Sequence, residues 1–123
     1  LDKISSGEFN RLRLALLTAR SQVECKDGGV LFLDEIDANL SGKESASIAK
    51  VLQELAQYYQ IFSISHQPQL SAMANQHFLV QKNDTISSVK LLDKKSRVDE
   101  ISRMISGKNI TQEAIDFANK LLG

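Results

Sequence analysis

Apolar residues recur along this chain at two different periods, and the changes between them outline its elements. Leu12, Ala15, Leu16 and Ala19 fall at i, i+3, i+4 and i+7, the spacing that lines one face of an α-helix, and predict a helix over about 7–23. Lys26-Asp27-Gly28-Gly29 breaks it. Val30-Leu31-Phe32-Leu33 is then an unbroken apolar run, read as a short strand buried on both faces, as in parallel sheets. Ser41 to Glu44 has capping-box spacing, and Ile48, Val51, Leu52 and Leu55 repeat the helical period behind it, predicting a second helix. Residues 61–65 form a second β-rich run, so strand, helix and strand alternate and a right-handed parallel crossover is the economical topology. Past Pro68 the chain predicts a short helix carrying Leu70 and Met73, then a hairpin in which 77–81 and 85–92 flank Asn83-Asp84. Thr111 is placed to cap a last helix whose face is Ala114, Phe117, Ala118 and Leu121, and another helix is expected near 98–105. The fold class that follows is three-layer α/β, with parallel strands, an adjoining hairpin and C-terminal helices.

Composition adds bounds rather than a function. At 123 residues, 42% hydrophobic and 24% charged, the chain has the size and balance of one compact domain. Fifteen Lys and Arg offset fifteen Asp and Glu, so no global basic field steers it to nucleic acid or anionic membrane. The lone Cys25 excludes an internal disulfide, and no secretory leader or membrane-length apolar run is present, so the cytoplasm is the default location. The chain does not begin with Met, and its first residues read as the middle of a motif, so a piece of a longer protein is expected.

Chemistry concentrates where apolar runs end. Val30-Leu31-Phe32-Leu33 delivers two adjacent carboxylates, Asp34 and Glu35, at the end of a strand where open α/β sheets bind ligands. One acid can hold Mg²⁺ through its water shell while its neighbour orients water for in-line attack on a γ-phosphate. The same pair can simply end a strand and cap a loop. Ile4-Ser5-Ser6-Gly7-Glu8 opens the first helix, and a helix N-terminus with a Gly-bearing turn suits a phosphate, yet Ser5 to Glu8 also has the spacing of an ordinary capping box. Ser63-Ile64-Ser65-His66 ends a strand in a histidine that can reach a terminal phosphate or play a purely structural part.

The order of these segments resembles the C-terminal lobe of ABC/SMC-type ATP-binding cassettes: residues 4–8 as signature motif, 30–35 as Walker B, 38–41 as D-loop and His66 as switch histidine. Asp34-Glu35-Ile36-Asp37 is similar to SMC-type heads rather than transporters, in which a Pro follows the acidic pair. Leu40-Ser41-Gly42-Lys43, residues 65–70, Ala72-Met73-Ala74-Asn75 and the tail at 97–107 and 110–122 resemble a bacterial DNA-repair branch of those heads. The resemblance implies ATP and Mg²⁺ as cofactors, Asp34 supporting the ion, Glu35 activating water and His66 sensing the γ-phosphate. It further implies that Ser5, Ser6, Gly7 and Glu8 contact ATP held on a partner head, with Asp37, Ala38 and Asn39 in the D-loop region. Residues 1–92 then carry the motifs and 93–123 the C-terminal helices. Two positions depart from the family pattern: Ser6 stands where the signature has its first Gly, and Ser41 where the D-loop often ends in Asp.

A Walker A loop is missing. Gly42-Lys43 comes nearest, but Asp37 stands where the first Gly belongs and Glu44 where Ser or Thr belongs. The implied partners are therefore an N-terminal Walker A lobe of the same protein, a second head in a homodimer, and DNA in the complete protein, with no membrane. The chain alone is expected to be inactive. Two alternatives are a transporter nucleotide-binding lobe and a non-catalytic interaction module with a degenerate cassette. Cys25 reads as a small helix-end filler, His77 as structural, and Lys94, Lys95 and Arg97 as a solvated helix start rather than a DNA contact.

Overall fold

The computed structural model describes residues 6–24 and 29–123, with side-chain surroundings for 8–9, 11–20 and 29–123. The chain divides into two compact units, Leu1–Leu70 and Ser71–Gly123.

In the first unit α1 (Ser6–Glu24) is followed by β1 (Val30–Asp34), α2 (Gly42–Leu55) and β2 (Gln60–Ile64), and α3 (Pro68–Ala72) starts at its end. β1 and β2 pair in parallel, Val30 with Gln60, Phe32 with Phe62 and Asp34 with Ile64, which is the topology expected of strand, helix and strand. Ser41 caps α2, accepting the Glu44 amide at 3.2 Å while its hydroxyl donates to the Glu44 carboxylate at 3.1 Å. Ile48, Ala49, Leu52 and Leu55 of α2 are buried, following the predicted period.

Two expectations about cover need correction. β1 is not buried on both faces, because successive side chains of a strand alternate and only one row is covered. Leu33 is buried, whereas Val30 and Phe32 are 53% and 75% exposed, as are Phe62 and Ile64 beside them at 47% and 59%. The helix α1 forms where predicted and packs on α2, but among its described side chains Leu14 is the buried one while Leu12 and Leu16 stay exposed. Periodicity identifies residues that share a face; it does not say which face is covered.

The second unit holds a separate antiparallel pair, β3 (Phe78–Asn83) and β4 (Ile86–Leu91), followed by α4 (Lys94–Ser106) and α5 (Gln112–Leu122). Asp84 makes the hairpin turn in left-handed backbone, φ 52°, a conformation that Asp tolerates better than most residues. Asp93 and Thr111 cap the two helices, accepting the Ser96 and Ala114 amides at 2.7 and 3.1 Å. Gly107 ends α4 at φ 78°, where a side chain would be strained. Ala72, Ile101 and Ala118 form the buried centre, with Val98, Met104, Ile105, Leu121 and Leu122 packed around it.

Arg97 departs from the solvated basic run expected of it. Its Nη2 turns inward to the carbonyls of Ser71 at 3.0 Å, Ala72 at 3.1 Å and Ala74, so it ties down the backbone leaving α3, while Lys94 and Lys95 remain exposed. His77 is half-buried near it, and burial first and the Arg97 charge second lower its pKa, with Glu100 opposing.

Candidate functional site

Two strand ends meet at a pair of side chains. Glu35 is the first residue past β1, and its N–H still donates to the Ile64 carbonyl at 2.9 Å, extending the ladder by one rung. It then takes left-handed backbone, φ 49°, a conformation that non-glycine residues adopt at a cost and that recurs at functional sites. His66 lies two residues past β2, and its Nε2 is 2.7 Å from Glu35 Oε1. The side chains are 83% and 47% exposed, so the contact sits in solvent-like surroundings and is worth about 0–1 kcal/mol. Such a pair is held in register by its backbones and separates readily when a stronger partner arrives. Asp34, at the tip of β1, is exposed, and alternation along the strand puts it on the open face with Val30 and Phe32. On that face the rings of Phe32 and Phe62 stack, 5.1 Å between centroids.

The segment after Glu35 folds as consecutive turns. The Ala38 amide donates to the Glu35 carbonyl at 3.0 Å and the Leu40 amide to the Asp37 carbonyl at 3.3 Å, with Asn39 at φ 63°. Ala38 and Asn39 are exposed, but Asp37 is 1% exposed. Its carboxylate accepts from the Ser65 hydroxyl at 2.5 Å and the Ser45 hydroxyl at 3.2 Å. Gln67 adds a further tie, from Nε2 to the Leu40 carbonyl at 3.2 Å. Gly42 admits the Gln69 side chain, since a Cβ there would lie 2.4 Å from Gln69 Nε2. Ser45 has no part in the sequence motifs, and Ser65, Gln67 and Gln69 enter them only within segments 63–66 and 65–70, with no role of their own. Their polar partners lie across loops and strands, where no local period marks them.

Of the signature residues, Ile4 and Ser5 lie outside the described residues, as does Cys25. Ser6 and Gly7 open α1, and Glu8 is exposed in its first turn. Among the described residues no group of three or more His, Cys, Asp or Glu forms a metal cluster. A lone exposed carboxylate such as Asp34 suits Mg²⁺, which keeps much of its water and takes its other oxygens from phosphates. Among the described residues no helix is long and apolar enough to cross a membrane.

No protein-family profile matches the chain. Solved structures do: an SMC ATPase studied for ATP-driven dimerization and DNA-stimulated activation aligns over 88% of this chain and 66% of its own, with a TM-score of 0.66 at 20% identity. An SMC head bound to the C-winged helix domain of ScpA aligns over 80% of this chain and 29% of its own, with a TM-score of 0.63 at 23% identity. The parallel pair, the hairpin and the helices are thus the α/β fold of an SMC ATPase head.

Sequence narrows this further. The DNA repair protein RecN of Helicobacter pylori is 45% identical over 122 residues, 99% of this chain and 23% of that protein. RecN of Rickettsia conorii is 36% identical over 127 residues, again 99% of this chain and 23% of that protein. Over nearly its whole length the chain matches the C-terminal part of RecN, and it spans under a quarter of the length of these curated relatives.

Proposed function

We propose that this chain is the C-terminal lobe of an ATP-hydrolysing head in a protein of DNA double-strand break repair and recombination. It acts when joined to an N-terminal Walker A lobe and paired with a second head. The observation that carries the reading is the 2.7 Å contact of Glu35 with His66 where two adjacent parallel strands end. Strand ends of this kind are where open α/β sheets hold their ligands.

In this reading a water attacks the γ-phosphorus of ATP. The new P–O bond forms as the bond to the bridging oxygen breaks, ADP leaves with the electron pair, and Glu35 orients the water and takes its proton. His66 exchanges the Glu35 carboxylate for a γ-phosphate oxygen, an exchange made cheap by its exposure. Asp34 would hold Mg²⁺, which would supply neutralisation of the phosphate charge. Ser5, Ser6, Gly7 and Glu8 contact ATP on the partner head, and the turn at Ala38 and Asn39 faces that head, with Asp37 beneath it. Residues 1–92 supply the motifs and 93–123 the C-terminal helices.

The exposed row Val30, Phe32, Phe62 and Ile64 supports a covering lobe, since apolar rows of this kind mark interfaces. DNA engagement and a cytoplasmic, nucleoid-associated location belong to the complete protein. The match to RecN favours this over a transporter lobe, and Ile36 in place of Pro agrees. A non-catalytic module would leave Glu35 and His66 dispensable. In the complete protein, Glu35→Gln should lower ATP turnover by about 10²-fold or more and abolish survival of DNA damage. Unchanged turnover would contradict hydrolysis at this pair.

A further inference from the structure

We propose that Asp37 is a positioning residue, a buried latch through which the exposed turn at 38–40 sets the placement of His66 against Glu35. The inference rests on the reading of Glu35 and His66 as the hydrolysis pair, and it moves Asp37 out of the set that touches nucleotide.

At 1% exposure the Asp37 carboxylate cannot reach a ligand from where it sits. Burying a carboxylate is costly unless its lone pairs are filled, and here two hydroxyls fill them, Ser65 at 2.5 Å and Ser45 at 3.2 Å. Besides the Glu35–His66 contact, three hydrogen bonds join the segment after β1 to the end of β2 and the residues just past it. The Glu35 amide bonds the Ile64 carbonyl at 2.9 Å, the Asp37 carboxylate the Ser65 hydroxyl, and the Leu40 carbonyl Gln67 Nε2 at 3.2 Å. Asp37 anchors the middle one, and that link ends on the residue directly before His66. The Ser65 oxygen also accepts the Gln67 amide at 2.9 Å, so the backbone is pinned on both sides of the histidine. Displacing the turn therefore drags Ser65, and with it the imidazole, relative to a glutamate whose own amide is fixed to the same strand end. Ser45 ties the same carboxylate to α2 rather than to the residue beside His66.

This asymmetry makes the test. In the complete protein, kcat and KM for ATP and the melting temperature are measured for Ser65→Ala, Ser45→Ala, Ser65→Thr and Asp37→Asn. A shift of about 1 Å at a reacting group costs up to about 10²-fold, so Ser65→Ala should lower kcat at least about tenfold with KM within about threefold. Ser65→Thr, which keeps the hydroxyl, should restore kcat. Ser45→Ala should lower the melting temperature comparably yet change kcat by less than about threefold. Should Ser65→Ala fail to fold, Asp37→Asn, which keeps the shape and loses the charge, should show the same fall in kcat at unchanged KM. Equal kcat values for Ser65→Ala and Ser45→Ala, or a raised KM at unchanged kcat, would overturn the latch. Glu35→Gln run in parallel separates the two ideas: if it leaves turnover intact the hydrolytic reading itself falls. If Glu35→Gln is inactive while Ser65→Ala and Asp37→Asn turn over normally, only the latch falls.

Discussion

Phe32 offers a measure of whether the open sheet face is a free surface or half of an interior. Its side chain is 75% exposed and stacks on Phe62 at 5.1 Å. The stacking, worth about 0.5–1.5 kcal/mol, is present in this chain by itself. Full burial of a phenylalanine contributes about 1.5–3 kcal/mol, so covering the remaining three quarters adds about 1–2 kcal/mol. Phe32→Ala should therefore cost about 1 kcal/mol in the 123-residue chain and about 3 kcal/mol in the complete protein, where truncation also leaves a cavity. Amide hydrogen exchange read by mass spectrometry on the β1 peptide gives the local opening free energy in both contexts. Equal losses in the two would refute a covering lobe, because the ring would then stay in water in the complete protein as well.

Two further outcomes follow from the second unit. Arg97→Met removes a charged donor from the carbonyls of Ser71, Ala72 and Ala74 and should destabilise this unit by about 2 kcal/mol in urea unfolding, whereas Lys95→Met stays within about 0.5 kcal/mol; equal effects would return Arg97 to the solvated run. His77 has its pKa below the ordinary 6.5 through burial and the Arg97 charge, so on acidification the unfolded imidazole takes a proton before the folded one. Its contribution is complete above 6.5 and is lost as pH falls from there through the folded pKa. Melting temperatures of His77→Gln should fall less than those of the unsubstituted chain across this window, and parallel curves would contradict the assignment.

The elements that could be read from the sequence are those whose signals are local. Ile48, Leu52 and Leu55 behind Ser41, and Ala114 and Ala118 behind Thr111, combine a cap with a helical period, and both helices lie where predicted. The alternation of strand, helix and strand likewise anticipated the parallel pairing of β1 and β2. The cover of each face was not legible. Val30 and Phe32 look like core in sequence because apolar character records what a residue is suited to touch, not whether anything covers it. Arg97 sits in a cationic run that reads as solvated, but its three carbonyl partners arrive from a turn more than twenty residues earlier. Asp37, third acid in a run of four residues, falls by resemblance in the D-loop region, and nothing local marks it as buried. Its burial depends on Ser65, 28 residues away, and no period connects them.

The placement of a phosphate at the Glu35–His66 pair is tested most directly by a structure of the complete protein with Mg²⁺ and ADP-aluminium fluoride, a mimic of the phosphoryl group in flight. The account predicts that the 2.7 Å contact opens, with the Glu35 carboxylate on the attacking water and His66 Nε2 on a fluoride, each about 3 Å away. A nucleotide bound elsewhere while Glu35 and His66 stay joined would contradict it.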